Sequence, residues 1–318
     1  MDIYELWRAR VEGRFGLKHY IYAWLISTRA FAVPWVALYT LFGALLAGIN
    51  SVEMAIVSIL IVSFILLASH FNNNYKDVEM GVDSYIDSPE EAKRVCSQIK
   101  PYTAAAWIVP LRITSIRFQK ANEFLFIALA LALYLYFYTR NIEILIATLP
   151  IAVLGLTLAR TYTTFFKPRR FGEMAAFLGH GFGSTAFGYL SQNPDIIMAV
   201  LVSIPPGLLS GLAYSVDQFI DIKTDLIMRV RTIYESWFNS RMPLGLYVIV
   251  IFAFWTNTVV AWVAAGLYPR GTLLVLSLIP LVLFIAPQLE YDRERALLKT
   301  IIIGVILTPL LLCIGAII

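Results

Sequence analysis

The chain has 318 residues, of which 59% are hydrophobic and only 14% charged, with a mean hydropathy of +0.73. Soluble domains carry about 25% charged and about 45–50% apolar residues, so a soluble enzyme, a disordered chain and a secreted disulfide scaffold are all excluded. Cys96 and Cys313 are too few and too far apart for a disulfide framework or a zinc site, and the net charge of +4 matters less than where the charges fall. The composition predicts an all-α polytopic membrane protein.

The N-terminal residues 1–19 are amphipathic and mixed in charge, without the apolar run and cleavage site of a signal peptide. They read as an interfacial helix lying against lipid headgroups. A transmembrane helix needs about 20 mostly apolar residues to cross a hydrocarbon core of about 30 Å. That ruler predicts a bundle of nine transmembrane helices, at 20–48, 52–75, 120–139, 141–162, 172–191, 195–216, 244–268, 271–289 and 298–318. Arg29 falls inside the first, where a buried charge demands a partner, and is expected to face a polar cavity.

The second span runs into FNNNYKDVEMGVDSYID at 71–87, which carries Asn73, Asp77 and Asp83. Asn73 and Asp77, four apart, share one helix face, and Gly81 suits a sharp turn toward Asp83. The loop 76–119 that follows is long and polar, and its part 102–119 is too basic for another span. His70 in the second span and His180 in the fifth read as packing or hydrogen-bonding residues. The sixth span contains Pro205, Pro206 and Gly207, which predict a kink, and runs into SVDQFIDIKTD at 215–225. Asp217, Asp221 and Asp225 then share a face in the same way, opening a second long polar loop at 217–243.

Of the 25 lysines and arginines, 21 fall in the N-terminus and the connections on one side of this map. Basic loops stay cytoplasmic, which puts the N-terminus inside, the C-terminus outside, and both acidic motifs with their cavity on the cytoplasmic side. The loops 76–119 and 217–243 would cap one transmembrane domain that spans residues 1–318. Aspartates at such density repel unless a cation neutralises them. Hard oxygen ligands favour Mg²⁺ or Ca²⁺, and Mg²⁺ is commonly shared between carboxylates and substrate phosphates. Two such groups at one membrane face suggest Mg²⁺ bridging to a diphosphate.

The motifs NxxxDxxxGxD at 73–83 and DxxxDxxxD at 217–225 resemble the signatures of the UbiA superfamily of intramembrane prenyltransferases. NNYKDVEMGVD is most similar to the naphthoate (menaquinone) and UBIAD-type branch, and TYTTFFKPRRFGE at 161–173 is similar to that branch's segment after the fourth span. The chain departs from the branch at Arg229, Val230, Arg231, Thr232 and Ile233, where a Gly-Lys-x-Thr-Leu run is usual, and at SYIDSPEEAKR beyond Asp83. The resemblance implies transfer of an isoprenyl group from a polyprenyl diphosphate to a lipophilic acceptor in the bilayer, with an aromatic quinone precursor as the leading acceptor. It further implies two Mg²⁺ ions, one held by Asn73, Asp77 and Asp83 and one by Asp217, Asp221 and Asp225. Asp77, Asp221 and Tyr162 would serve catalysis. Lys167, Arg169, Lys223 and Arg29 would meet the diphosphate, with Arg170, Lys93, Arg94 and Lys100 as further candidates. A prenylglyceryl phosphate acceptor, as in ether-lipid synthesis, is the alternative within the same chemistry. A cation-coupled transporter is the alternative outside it, and nothing points to a nucleic-acid partner or to an oligomeric state.

Overall fold

The structure, a computed structural model, describes residues 1–81, 83–97, 104–217, 242–290, 299–300 and 302–318, and no strand occurs among them. The N-terminal segment 1–19 holds one helix and the start of a second. Helix α1 (Ile3–Val11) starts in a reciprocal cap, in which Asp2 accepts from the Glu5 amide and Glu5 accepts from that of Asp2. A turn through Gly13, at φ 69°, separates it from α2 (Leu17–Thr28).

The predicted first span is broken. Arg29 adopts a left-handed conformation at φ 46°, a short 3₁₀ turn covers Ala30–Ala32, and α3 (Val33–Leu46) leaves at 51° to α2. Pro34 in the first turn of α3 explains the break. It has no N–H to continue the preceding helix and its ring excludes the carbonyl of residue 30, yet its fixed φ suits a helix start.

Helix α4 (Val52–Glu79), capped by Ser51, continues one turn past the predicted end of the second span and so carries Asp77 on its last turn. Beyond Gly81, at φ 71°, the chain folds back over the bundle end through α5 (Pro89–Cys96) and α6 (Ala104–Trp107). Ile108, Val109, Leu111 and Ile113 bury themselves there with Ile3 and Leu6 of α1 in one apolar cluster. Helices α7 (Ile116–Tyr138) and α8 (Ile142–Thr161) start at the caps Ser115 and Asn141. Next come α9 (Gly172–Ala176), a π-helical stretch Phe177–Gly183 and α10 (Ser184–Leu190), consecutive without a gap. Then follow α11 (Ile196–Asp217), α12 (Leu244–Ala264), α13 (Ile279–Ile285) and α14 (Thr308–Ile317).

Six helical stretches are long and apolar enough to cross a membrane: Val52–Glu79, Ile116–Tyr138, Ile142–Phe166, Ile196–Val216, Leu244–Ala264 and Arg270–Leu289. The bent pair α2–α3 makes up to seven. The nine-span expectation is therefore not reproduced among the described residues. The π turn divides 172–190 into short helices, and Ile303–Ile317 is shorter than a span.

Two features tie the bundle together. The helices α3 and α10 touch backbone to backbone: a Cβ on Gly188 would stand 1.9 Å from the Thr40 carbonyl oxygen, and one on Gly43 would stand 2.0 Å from that of Thr185. Helix α11 runs through Pro205 and Pro206 without ending. Those prolines remove the amides that would bond the Leu201 and Val202 carbonyls. Trp262 Nε1 donates to Leu201 at 2.8 Å and the Tyr268 hydroxyl to Val202 at 2.6 Å, so side chains from α12 and its following loop replace the lost backbone donors.

Candidate active site

One cavity of about 280 Å³ lies among α3, α4, α8, the run α9–α10 and α11. Along α4 its lining runs from Val62 through Ile65, Leu66, Ser69, His70 and Asn73 to Asp77, about 22 Å at ~1.5 Å per residue. The α8 side contributes Ile151, Ala152, Gly155 and Leu158, and Ser184 and Phe187 line it from α10. One end is polar and the other apolar, because α4 is apolar up to Ala68 and turns polar in its last three turns.

At the polar end, Asp77 is buried, and its Oδ2 lies 3.6 Å from Lys167 Nζ. The Asp77 Oδ1 atom is buried with no hydrogen-bond partner among the described residues. Asn73, one turn earlier, accepts through Oδ1 from the Thr163 hydroxyl at 2.8 Å. Lys167 and Thr163 reach α4 because the chain leaves α8 in a π turn, Tyr162–Phe166, closed by the Lys167 amide on the Tyr162 carbonyl at 2.8 Å. The wider turn rotates Tyr162 and Lys167 onto the cavity side, where both line it. The Tyr162 hydroxyl is bonded to that of Tyr214 on α11, with the two rings 6.2 Å apart and nearly perpendicular.

Arg29 also lines the cavity, and its Nη2 donates to Asn74 Oδ1 at 3.3 Å. The left-handed break between α2 and α3 is what turns this guanidinium toward α4. Asn74 is itself held by the Ser27 carbonyl at 3.0 Å and by Gln119. On another side of α4, Glu123 is fully buried and accepts from Asn72 Nδ2 at 3.0 Å and from the Tyr75 hydroxyl at 2.7 Å, with Arg160 Nε at 3.5 Å. These contacts fix the rotation of α4 about its axis, and so the direction of Asn73 and Asp77.

The structure thus gathers Arg29, Asn73, Asp77, Tyr162 and Lys167 around one cavity. Asp83 is joined to this end through its amide, which donates to the Asp77 carbonyl at 3.2 Å. Arg169 is exposed and folds back on its own turn, over the Phe165 ring and onto the Phe165 carbonyl, away from the cavity. Arg170, Lys93 and Arg94 are exposed. Asp221, Lys223, Asp225 and Lys100, with residues 229–233 and the Asp217 side chain, lie outside the described residues. Sequence reasoning missed Tyr214, Thr163 and Trp35. Tyr214 stands three residues before Asp217, on the same helix face, which was a usable signal. Thr163 lies in the family-like stretch 161–173, which was a signal as well, and nothing local marks Trp35.

Among the described residues no three His, Cys, Asp or Glu side chains gather into a metal cluster. Asp77 and Asn73 supply hard oxygen donors side by side, one of them an orphaned carboxylate oxygen, and this donor set suits Mg²⁺.

Fold and site together define a polytopic membrane protein whose apolar cavity meets a buried carboxylate–ammonium pair at one end. No family model and no curated protein matches the chain. It is similar to a solved structure of a digeranylgeranylglyceryl phosphate synthase in membranes, at a TM-score of 0.54 and 16% identity, over 93% of this chain and 98% of that one. At that identity the likeness is one of fold. It gives no support to the naphthoate branch in particular.

Proposed function

We propose that the chain is an intramembrane prenyltransferase that moves an isoprenyl group from a polyprenyl diphosphate to a lipophilic acceptor and releases diphosphate. The observation that carries this reading is the Asp77–Lys167 pair, with its orphaned carboxylate oxygen, at the polar end of a long apolar cavity. Such a cavity suits a substrate with an anionic head and a hydrocarbon tail. Asp77 and Asn73 would hold Mg²⁺, with Asp83 beside them, and Asp217, Asp221 and Asp225 would hold a second ion. When bound, the metal neutralises charge on the leaving diphosphate.

The chain's own residues do the rest. Lys167 meets the diphosphate oxygens, and Arg29 adds a second positive charge to the same cavity, with Lys223 of the second acidic motif as a further proposed diphosphate ligand. As the allylic C–O bond breaks, its electron pair leaves with the diphosphate, and a new bond forms from the same carbon to the acceptor, which loses a proton. The faces of Tyr162 and Tyr214 favour the developing allylic cation, and the apolar lining keeps water from it. Basic connections orient this end to the cytoplasm.

The acceptor is read as a lipophilic molecule, with an aromatic quinone precursor suggested by the motifs. The fold likeness to a digeranylgeranylglyceryl phosphate synthase favours a prenylglyceryl phosphate instead. The place of Asp77, on the last turn of α4, speaks against a cation-coupled transporter, where acids sit near the bilayer midplane.

The test is turnover and binding of geranylgeranyl diphosphate by the full chain in lipid nanodiscs, with and without Mg²⁺. Asp77→Asn is expected to lower kcat/KM by about a hundredfold or more, as loss of a preorganised electrostatic group does, and chelation of Mg²⁺ to abolish turnover. Donor binding that ignores Mg²⁺, Asp77→Ala and Asp221→Ala alike would falsify the proposal.

A further inference from the structure

Well inside the polar end, the cavity has a second polar station. Trp35, on the first turn of α3, and His180, in the π-helical stretch Phe177–Gly183, both line the cavity. Their ring centroids are 4.7 Å apart and their planes inclined by 55°. Trp35 Nε1 and His180 Nδ1 are both buried, and neither has a hydrogen-bond partner among the described residues. His70, by contrast, has its Nδ1 2.7 Å from the Thr28 carbonyl oxygen and is accounted for by packing.

Native folds leave few buried polar groups unpaired, and those that remain call for an explanation. The Tyr39 hydroxyl, one turn on from Trp35 and close to it and to Ser210, is a third such group, and unpaired groups gathered from two elements beside one cavity point to a partner beyond the chain. The backbone around His180 is held firmly. Gly181 presses so closely on α11 that a Cβ there would stand 2.0 Å from the Pro206 carbonyl oxygen. The π turn at His180 is a geometry that proteins keep mostly at functional sites. Trp35 and His180 come from α3 and the run α9–α10, whereas Asp77 and Lys167 come from the end of α4 and the turn after α8, so this station is built from other elements than the Asp77–Lys167 pair.

The chemistry narrows the partner. An indole N–H only donates, so the group opposite Trp35 must accept. A neutral imidazole protonated on Nε2 accepts through Nδ1. A hydroxyl meets both at once, accepting from Trp35 and donating to His180. Around them the lining mixes apolar Leu66 and Leu178 with Ser69, His70 and Ser184.

Building on the prenyltransfer reading, we propose that Trp35 and His180 form the seat for the hydroxyl group of the acceptor. The prenyl donor binds by its diphosphate at Asp77 and Lys167, and the acceptor by its hydroxyl at this inner station.

The experiment compares the wild-type chain in lipid nanodiscs with Trp35→Phe, His180→Leu and His180→Gln. Geranylgeranyl diphosphate is the donor, and geranylgeranylglyceryl phosphate and 1,4-dihydroxy-2-naphthoate are the acceptors, so the two arms separate a glyceryl from an aromatic hydroxyl. Trp35→Phe and His180→Leu are expected to raise the acceptor KM about tenfold, the scale of one hydrogen bond, and to leave the donor KM within about twofold. His180→Gln, whose amide oxygen accepts the same bond, recovers most of the loss. An acceptor with its hydroxyl methylated loses affinity for the wild-type chain and not for the variants. Equal effects on donor and acceptor, or no effect on either, overturn the seat while leaving the prenyltransfer reading intact. Equal binding of the hydroxyl and methylated acceptors assigns the station to a structural water and overturns it too, as does binding of neither acceptor where donor binding is normal. Absence of donor binding in the wild-type chain overturns the prenyltransfer reading itself.

Discussion

Arg29 and Asp77 are each legible in the sequence for one physical reason: a charge inside or beside an apolar run must find a partner. Their actual partners are not legible. Arg29 meets Asn74 and Asp77 meets Lys167, from positions 45 and 90 residues away. Arg169 shows the other side of this. It lies two residues from Lys167 in the same basic run, yet it points outward because the turn that carries Lys167 inward rotates it away. Cys96, at the end of α5, sits under α1 in the small apolar cluster at the bundle end. Burial, and then the nearby Asp2 carboxylate, push its thiol up to about 11. The neutral thiol is the favoured form, so the reactive thiolate stays scarce at neutral pH. In a Cys313→Ser background, the rate of alkylation by iodoacetamide is expected to climb roughly tenfold per pH unit up to about pH 10 with no plateau, because only the thiolate reacts. A plateau near pH 9 would show an ordinary, solvated thiol and contradict this packing.

Helices here owe their shape to contacts that their own sequences do not reveal. Pro205 and Pro206 read as a kink, yet α11 passes through them because Trp262 and Tyr268 supply the two missing hydrogen bonds. Tyr268→Phe keeps the ring and removes only the donor to the Val202 carbonyl. It is expected to cost about 1–3 kcal/mol, the penalty of a buried acceptor left unpaired, seen as a lower midpoint of thermal unfolding in detergent. Pro206→Ala restores an amide to that same carbonyl. In the Pro206→Ala background the Tyr268→Phe cost should therefore shrink to a small fraction, a coupling that a double-mutant cycle measures directly. Additive costs would show that the hydroxyl acts elsewhere. The break at Arg29 follows the same logic, since Asn74 and His70 of α4 meet the Ser27 and Thr28 carbonyls there. Apolar periodicity predicts a helix at Tyr162–Phe166 and Phe177–Gly183 too, and these π turns close on amides of their own stretch.

Across the whole molecule, the cavity is bounded at its apolar end by Phe187, only 2% exposed. Tyr138 and Tyr134 back it, with ring centroids at 5.5 and 6.3 Å. Both tyrosines are pinned, Tyr138 to Ser58 and Tyr134 to the Leu145 carbonyl and Thr148. A floor built this way resists displacement by a longer tail. Phe187→Ala is expected to raise the kcat/KM for solanesyl relative to geranylgeranyl diphosphate by about tenfold, the worth of a few methylenes in an apolar pocket. An unchanged ratio would mean that the tail leaves sideways between helices into lipid. The sequence by itself determined the solvent, the helical class and the acidic end of α4, because hydropathy and i, i+4 spacing are properties of consecutive residues. Only the tertiary structure decided how many helices are long enough to span, which cations turn inward, and that Trp35 and His180 meet in one cavity. Those outcomes depend on backbone breaks and on pairs far apart in the chain. No local pattern encodes them, since each is settled by which neighbouring helix satisfies the polar groups a break exposes.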